Sequence, residues 1–319
     1  MSISPATGPS RLLADAVDRG RLDLPLPGHG RTSERLLGLA DLGRQDPVLA
    51  RLGEGHADAI AILTELGATA GMDARGQRWG VWAAVPASVT ATSTAAGWRL
   101  NGDRPWCSGA GLCTHALVTA TADDGVRLFA VELDDPRVRP LDGTWPAVGM
   151  AGSDSRTVRF TEAPARPVGG PGQYVDRPGF WHGGIGVAAC WYGGAVGIAD
   201  ALPAAARHRP LDPHALAHLG AVDVALGAAR AVLLEAAAQI DADPVAPAQR
   251  LALRVRSTVE AAATQVIDHV GRALGAGPLC RDAAHAHRVA DLTVYLRQSH
   301  AEADLAQLGT ILTEMSTAW

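Results

Sequence analysis

The spacing of hydrophobic positions divides the chain into three regions. Up to about residue 74 the regular stretches have helical spacing. Leu12-Leu13-Ala14 and Leu36-Leu37-Gly38-Leu39 are apolar clusters separated by Pro25-Leu26-Pro27-Gly28-His29-Gly30, which only a loop accommodates. From Gly55 onward Ile60, Leu63 and Leu66 repeat on one helical face, and Gly67 supplies a C-terminal stop. Between residues 75 and 172 the period drops to two. Trp79 to Pro86 predicts a short apolar strand, followed by the Thr/Ser/Ala-rich Ala87 to Ala96. Trp98 with Leu100, and then Ala116 to Thr119, predict two more strands. Asn101-Gly102 between them is the dipeptide that a type I′ hairpin turn prefers, because both central residues need positive φ. Ser155, Thr157 and Arg159 alternate with Arg156, Val158 and Phe160 after a Gly/Ser/Asp turn, which predicts a further strand. Pro164 to Gly172 is a Pro/Gly linker that ends the region.

From residue 173 the helical period returns. Leu216, Leu219, Val222, Leu226, Ala229, Leu233 and Ala236 share one stripe, which the Asp241-Ala242-Asp243-Pro244 break ends. Leu251, Val255, Val259, Val266 and Val270 form a second, stopped by Gly275-Ala276-Gly277-Pro278. Val289, Leu292, Leu296, Leu305, Leu308 and Leu312 form the last. With a glycine-rich helix near Gly183 to Ala206, these predict a four-helix bundle over residues 173–319. The expected architecture is α+β: an N-terminal helical region over 1–74, a middle antiparallel β domain over 75–172, and the bundle.

Composition narrows the partners. The chain has 319 residues, 47% of them hydrophobic, and a formal charge of -5, and all 28 of its basic residues are arginine. No basic block is present, so there is no concentrated positive face to neutralise phosphates and nucleic acid is excluded as a partner. Cys107, Cys113, Cys190 and Cys280 form no Cys-x-x-Cys pair and have no His at zinc spacing, so no metal is expected and the thiols read as reduced and cytoplasmic. The N-terminus lacks a charged segment followed by an apolar core, the mark of a secretory leader. Gly183 to Ala199 is apolar but dense in glycine and short of a membrane span, so it is expected to be a buried helix.

Two stretches carry a resemblance. Trp98-Arg99-Leu100-Asn101-Gly102-Asp103-Arg104-Pro105-Trp106-Cys107-Ser108-Gly109 and Gly149-Met150-Ala151-Gly152-Ser153-Asp154-Ser155-Arg156-Thr157-Val158-Arg159-Phe160 are similar to the middle domain of the acyl-CoA dehydrogenase family of flavoproteins. The resemblance runs from about His56 into the C-terminal third. It implies a barrel-like middle domain, a shortened N-terminal helical domain and a C-terminal four-helix bundle. It also implies FAD, an acyl-CoA or acyl-carrier thioester as substrate, and a homodimer or homotetramer that shares the cofactor. The Gly-rich helix and the alanine-rich stripes are likewise more apolar helix surface than one small bundle needs.

In that family a carboxylate takes the α-proton of the thioester while the β-hydride goes to flavin N5. The resemblance places Trp106 and Ser108, with Cys107 between them, at the flavin: an indole against the ring and a hydroxyl towards N5. A hydroxyl suits that position because it both donates and accepts. The alternative reading of these residues is a core aromatic and a turn serine. Trp82-Ala83-Ala84 stands where the family holds the flavin pyrimidine, with Ala84 in place of a threonine; the Gly-x-Gly-Ser-Asp loop that follows in the family is absent, and Thr90 to Ala96 is a poor substitute for it. Arg272 and Gly275 fall in a glycine-rich adenine or pyrophosphate segment, although a helix cap explains the glycine equally well. Arg209 falls near an arginine that reaches the neighbouring subunit's FAD.

The usual catalytic glutamate falls at Ser299, followed by His300, with Glu302 expected three residues on along the same helix. His300 or Glu302 would then be the base, or Glu302 simply a solvated residue. Ser108 and the 299–302 segment are expected on opposite sides of one cleft. Three functions follow: an FAD-dependent acyl thioester dehydrogenase, ranked first; a flavin monooxygenase of the same fold, which needs no α-proton base; and a non-catalytic relative without tight FAD binding.

Overall fold

The computed structural model describes residues 8–70, 76–84, 88–208 and 210–315. Arg209 lies outside the described residues. Contacts divide the chain into two compact units. One comprises residues 1–24, 51–147 and 151–180; the other comprises 25–50, 148–150 and 181–319.

Among the described residues, helices α1 (Pro9–Asp18), α2 (Thr32–Gln45) and α3 (Pro47–Glu65) precede seven strands: β1 (Trp79–Trp82), β2 (Thr90–Thr94), β3 (Gly97–Arg104), β4 (His115–Ala122), β5 (Gly125–Glu132), β6 (Val138–Pro140) and β7 (Val158–Val168). The expected mixed fold with a barrel-like β domain is the one observed. β4 pairs antiparallel with β5 along its whole length, and its other edge is shared by β1, parallel, and by a single bridge from Thr90 of β2 to Thr121. β2 continues to β3, β3 to β7 and β7 back to β5, which closes the ring. Closure removes the free edges that an open sheet would expose.

Successive residues on a strand face opposite ways, and β4 is buried on both faces. Ala116, Val118 and Ala120 pack inward with Leu100, Phe129, Val131, Val158 and Phe160. Leu117 faces outward with Leu128 and Val168, against Ala59, Ile62 and Leu63 of α3, while Ile60 and Leu66 pack at the margin. The predicted stripe on α3 is therefore its sheet-facing side.

The expected hairpin at Asn101-Gly102 is not there. β3 runs straight through that dipeptide, and the β2–β3 turn is at Ala95-Ala96. The pairing of β3 with β7 slips between Leu100 and Gly102, so Asn101-Gly102 marks a bulge. Gly102 takes φ 122°, and an added Cβ would lie 2.6 Å from Ser88 O. Glycine is required here by a bulge against a neighbouring backbone. Thr90 to Thr94, in the stretch where the family's Gly-x-Gly-Ser-Asp loop is absent, forms strand β2.

After the short α4 (Gln173–Asp176), which belongs to the first unit, α5 (Gly179–Ala199) enters the other unit and is followed there by α6 (Ala201–Ala206), α7 (Pro213–Ala242), α8 (Gln249–Leu274), α9 (Ala276–Arg281), α10 (Ala283–Tyr295) and α11 (Glu302–Thr313). Among the described residues every element after β7 is helical. Gly193 and Gly197 of α5 serve its crossing with α2. A Cβ at Gly193 would collide with Ala40 O, one at Gly197 would lie 2.7 Å from Arg44 O, and on the facing helix one at Gly43 would strike Cys190 O. The two backbones touch, as only glycine allows. By length and composition Gly179–Ala206 and Pro213–Ala242 could each cross a membrane, and their apolar windows are 72% and 22% buried in protein.

Two helical stripes differ from their sequence pattern. On α7 the buried stripe is Ala215, Val222, Ala225, Ala229, Leu233, Ala236 and Ile240, and Leu216, one position round the helix, is 53% exposed. The final stripe is not one helix. A 3₁₀ turn at Leu296–Gln298 and an irregular Ser299 to Ala301 separate α10 from α11, with Ala301 at φ 47°, and Leu305 is exposed. Side-chain spacing survives such a break, so periodicity alone did not reveal it.

His56 ties α3 to the sheet. Its Nδ1 accepts the Trp79 backbone N–H at 3.2 Å, and burial pushes its pKa from 6.5 down to about 4. A base whose folded pKa is depressed contributes stability that is whole above its unfolded value and fades as pH falls towards the folded one. Denaturant unfolding should therefore show stability falling between about pH 6.5 and pH 4, with up to about 3 kcal/mol from this residue. His56→Gln keeps an acceptor without titrating, and its profile should be flatter over that interval. An unchanged slope in the variant would assign the loss to other groups.

Candidate functional site

The β3–β7 ladder ends at the pair Arg104 and Val158. Beyond it the residues after β3 and those before β7 leave the sheet side by side, with their backbone groups still to be satisfied. They satisfy one another. Cys107 N donates to Arg156 O at 3.1 Å, Gly109 N to Ser153 O at 2.7 Å, and Ala110 N to Asp154 O at 3.1 Å. The Asp154 carboxylate accepts from Gly111 N at 2.8 Å and from Arg156 Nε at 2.6 Å. Trp106 at φ 63° and Asp154 at φ 43° hold the left-handed backbone these turns need, a conformation costly for side chains with a Cβ and common at functional sites.

Ser108 sits at the centre of this clip. Its carbonyl accepts from Trp82 Nε1 at 2.9 Å, and Gly80 leaves room for that indole, since a Cβ there would lie 2.8 Å from the same nitrogen. Its hydroxyl lies 2.8 Å from Ser155 Oγ, which in turn lies 2.8 Å from Ser153 Oγ. Ser153 and Ser155 are 1% and 7% exposed, whereas Ser108 is half-buried. Trp106 is 62% exposed and meets Trp145 edge-on, with ring centroids 6.0 Å apart. The unit thus presents an aromatic face and one anchored hydroxyl side by side.

The other residues expected here divide by atom type. Trp82 is a core residue, 2% exposed, so only its backbone can meet a ligand. The Cys107 side chain also belongs to the core, where its thiol donates to Arg104 O at 3.2 Å and burial raises its pKa. Ala83 is half-buried and Ala84 exposed as the chain leaves β1. Ser155 is not the strand residue expected. It lies in the irregular segment between the 3₁₀ turn Ala151–Ser153 and β7. Sequence reasoning passed over Ser153, Ser155 and Trp145, and the repeated serine around Asp154 was the available signal.

The C-terminal candidates lie in the second unit. Ser299 Oγ accepts from Ala301 N at 3.2 Å in the break before α11. His300 is 73% exposed at its side chain and its Nδ1 lies 3.3 Å from the Asp304 carboxylate. Glu302 opens α11 and is exposed, so it does not follow His300 along a continuous helix. Arg272 pairs with Asp268 at 3.0 Å on the surface of α8. Gly275 caps α8 at φ 65°, with open space where a Cβ would stand, so the cap alone accounts for it. A cleft of about 500 Å³ does join two of the predicted segments: Ala204 and His208 on one side, and Leu274, Gly277, Arg281 and His285 on the other. Within the same unit Met150 N donates to Asp291 at 2.5 Å, and burial raises the carboxyl pKa.

Gly109 tests the clip. It takes φ 76°, and an added Cβ would lie 2.5 Å from Cys113 Sγ. Burial pushes that thiol to about 12, so it is neutral and packed. Gly109→Ala should lower unfolding stability by about 2–3 kcal/mol, combining left-handed strain with overpacking. A loss below about 0.5 kcal/mol in urea would mean that the turn relaxes freely and the clip is weak.

No family model matches the sequence, and no curated protein matches it. Solved structures do. Dibenzothiophene monooxygenase TdsC from a Paenibacillus species matches with a TM-score of 0.75 at 20% identity, over 97% of this chain and 96% of its own. Methanesulfinate monooxygenase MsuC from Pseudomonas fluorescens matches at 0.75 and 16% identity, over 98% of each chain. A steroid acyl-CoA dehydrogenase variant matches at 0.79 and 20% identity, over 96% of this chain and 89% of its own. TdsC has been solved with FMN and indole. At these identities the likeness is one of fold, and the chain has the acyl-CoA dehydrogenase fold.

Proposed function

We propose that this chain is a flavin-dependent monooxygenase built on the acyl-CoA dehydrogenase fold. The observation that carries the reading is the state of the 299–302 segment. Removing an α-proton from a thioester needs a positioned base, ordinarily in surroundings that tune its pKa. Here His300 and Glu302 are exposed, and Ser299 is spent on the local turn. An oxygenase places no such demand on these positions. TdsC and MsuC, both monooxygenases by name, share the fold and support the same choice.

The residues present fit a flavin. Trp106 offers a broad apolar face, Ser108 an oriented hydroxyl, and Ala83 and Ala84 an open stretch of backbone without bulky side chains. When bound, the cofactor supplies two-electron redox chemistry and, once reduced, reacts with oxygen. The chain's own task is to hold that group: Trp82 and Ser155 fix Ser108 through its carbonyl and its hydroxyl, and the clip fixes both turns. FAD is the flavin that the family resemblance implies, and solved structures of the same fold include TdsC with FMN. A homo-oligomer is part of the same reading, since α7 leaves Leu216 and Val224 exposed on its outer side.

The test uses purified full-length protein reconstituted with FAD. Under argon, a panel of acyl-CoA thioesters should leave the flavin absorbance unchanged, while the chemically reduced protein should consume oxygen on mixing with aerated buffer. Glu302→Gln and His300→Ala should keep the oxygen reaction within about twofold of the parent rate, well inside the two to four orders of magnitude that a positioned base contributes. Bleaching by any acyl thioester, lost in either variant, would establish the dehydrogenase instead. A protein that takes up no flavin would overturn both.

A further inference from the structure

We propose that Ser155 and Ser153 are positioning residues: with Ser108 they form a hydroxyl relay whose direction sets whether Ser108 donates or accepts at the flavin. The inference rests on the flavin reading and adds to it two buried residues. The three oxygens stand in series at 2.8 Å and 2.8 Å, and the inner two are almost wholly enclosed. Each serine hydroxyl has one proton to give and lone pairs to receive. A chain of three such groups has two orientations that run head to tail along its whole length. In one, Ser153 donates to Ser155, Ser155 to Ser108, and Ser108 outward. In the other every hydrogen bond is reversed and Ser108 accepts from outside.

The surrounding backbone makes rotation of the hydroxyls the available response. Cys107 N and Gly109 N, on either side of Ser108, are bonded to Arg156 O and Ser153 O, on either side of Ser155. The Ser108 carbonyl is held by Trp82. The loops are therefore fixed to each other, and the protons are the light, mobile part. A flavin nitrogen that accepts when oxidised and carries N–H when reduced asks for opposite roles from its partner. The relay meets both without moving a heavy atom. Neighbouring hydrogen bonds in a chain polarise and strengthen one another, so the buried pair raises what Ser108 contributes in either orientation. A lone serine would have no such support.

The experiment measures binding. Wild-type protein, Ser155→Ala and Ser155→Thr are titrated with oxidised FAD and with 5-deaza-FAD, in which a C–H replaces N5 and cannot accept. Ser155→Ala should weaken FAD about fivefold, the worth of about one hydrogen bond, and leave 5-deaza-FAD unchanged. Ser155→Thr keeps a hydroxyl and should bind FAD as the wild type does. If Ser155→Ala weakens both ligands equally, or neither, while the wild type binds both, the relay is wrong and the flavin reading stands. If the wild type binds neither ligand, the flavin reading fails and the relay with it.

Discussion

The site depends on one constraint: two segments leave the same end of the β3–β7 ladder and must satisfy their backbone groups without a sheet. Buried N–H and C=O groups are paired almost without exception, because an orphan costs its full desolvation. Residues 107–111 and 153–156 meet this by bonding to each other. The left-handed turns at Trp106 and Asp154 follow from the path that this pairing imposes. The same path carries the Trp106 indole outward and draws the Cys107 thiol inward. It sets Ser108 against Ser155. The strained turns and the exposed hydroxyl share an origin in the need to end the β3–β7 ladder with its backbone groups paired.

The second unit is governed by a different limit, the distance between helix axes. At the α2–α5 crossing Gly193 and Gly197 face backbone oxygens of α2, while Gly43 of α2 faces α5. The enclosed backbone contact there gains dispersion but tolerates no added atom. Much of the outer side of α7 remains uncovered. The two long apolar helices therefore differ in kind: the window of α5 is used up within the chain, and that of α7 is mostly not.

Much of the fold was legible because it rests on side-chain periodicity. Ile60, Leu63 and Leu66 marked the sheet-facing side of α3, and the apolar run Ala116 to Thr119 marked β4 as a strand, although not that both of its faces are buried. Misreadings came where backbone geometry decides. Asn101-Gly102 has the composition of a hairpin turn and occupies a bulge, since positive φ suits both. The break at Ser299 to Ala301 leaves the leucine spacing intact, so it was invisible in the pattern. In the site, Ser108 was found through a motif. Ser155 and Ser153 were not, because a contact between segments 47 residues apart leaves no local signature. Cys107 and Trp82 were named as cofactor contacts from their positions, and burial shows that their side chains serve the core.

If the clip around Ser108 holds the flavin, amide hydrogen exchange of the chain with and without saturating FAD will report it. Exchange at residues 106–111 and 153–156 is expected to slow on adding the cofactor, because groups already paired become shielded as well. FAD that binds while these two segments exchange at unchanged rates, with protection only elsewhere, would contradict it.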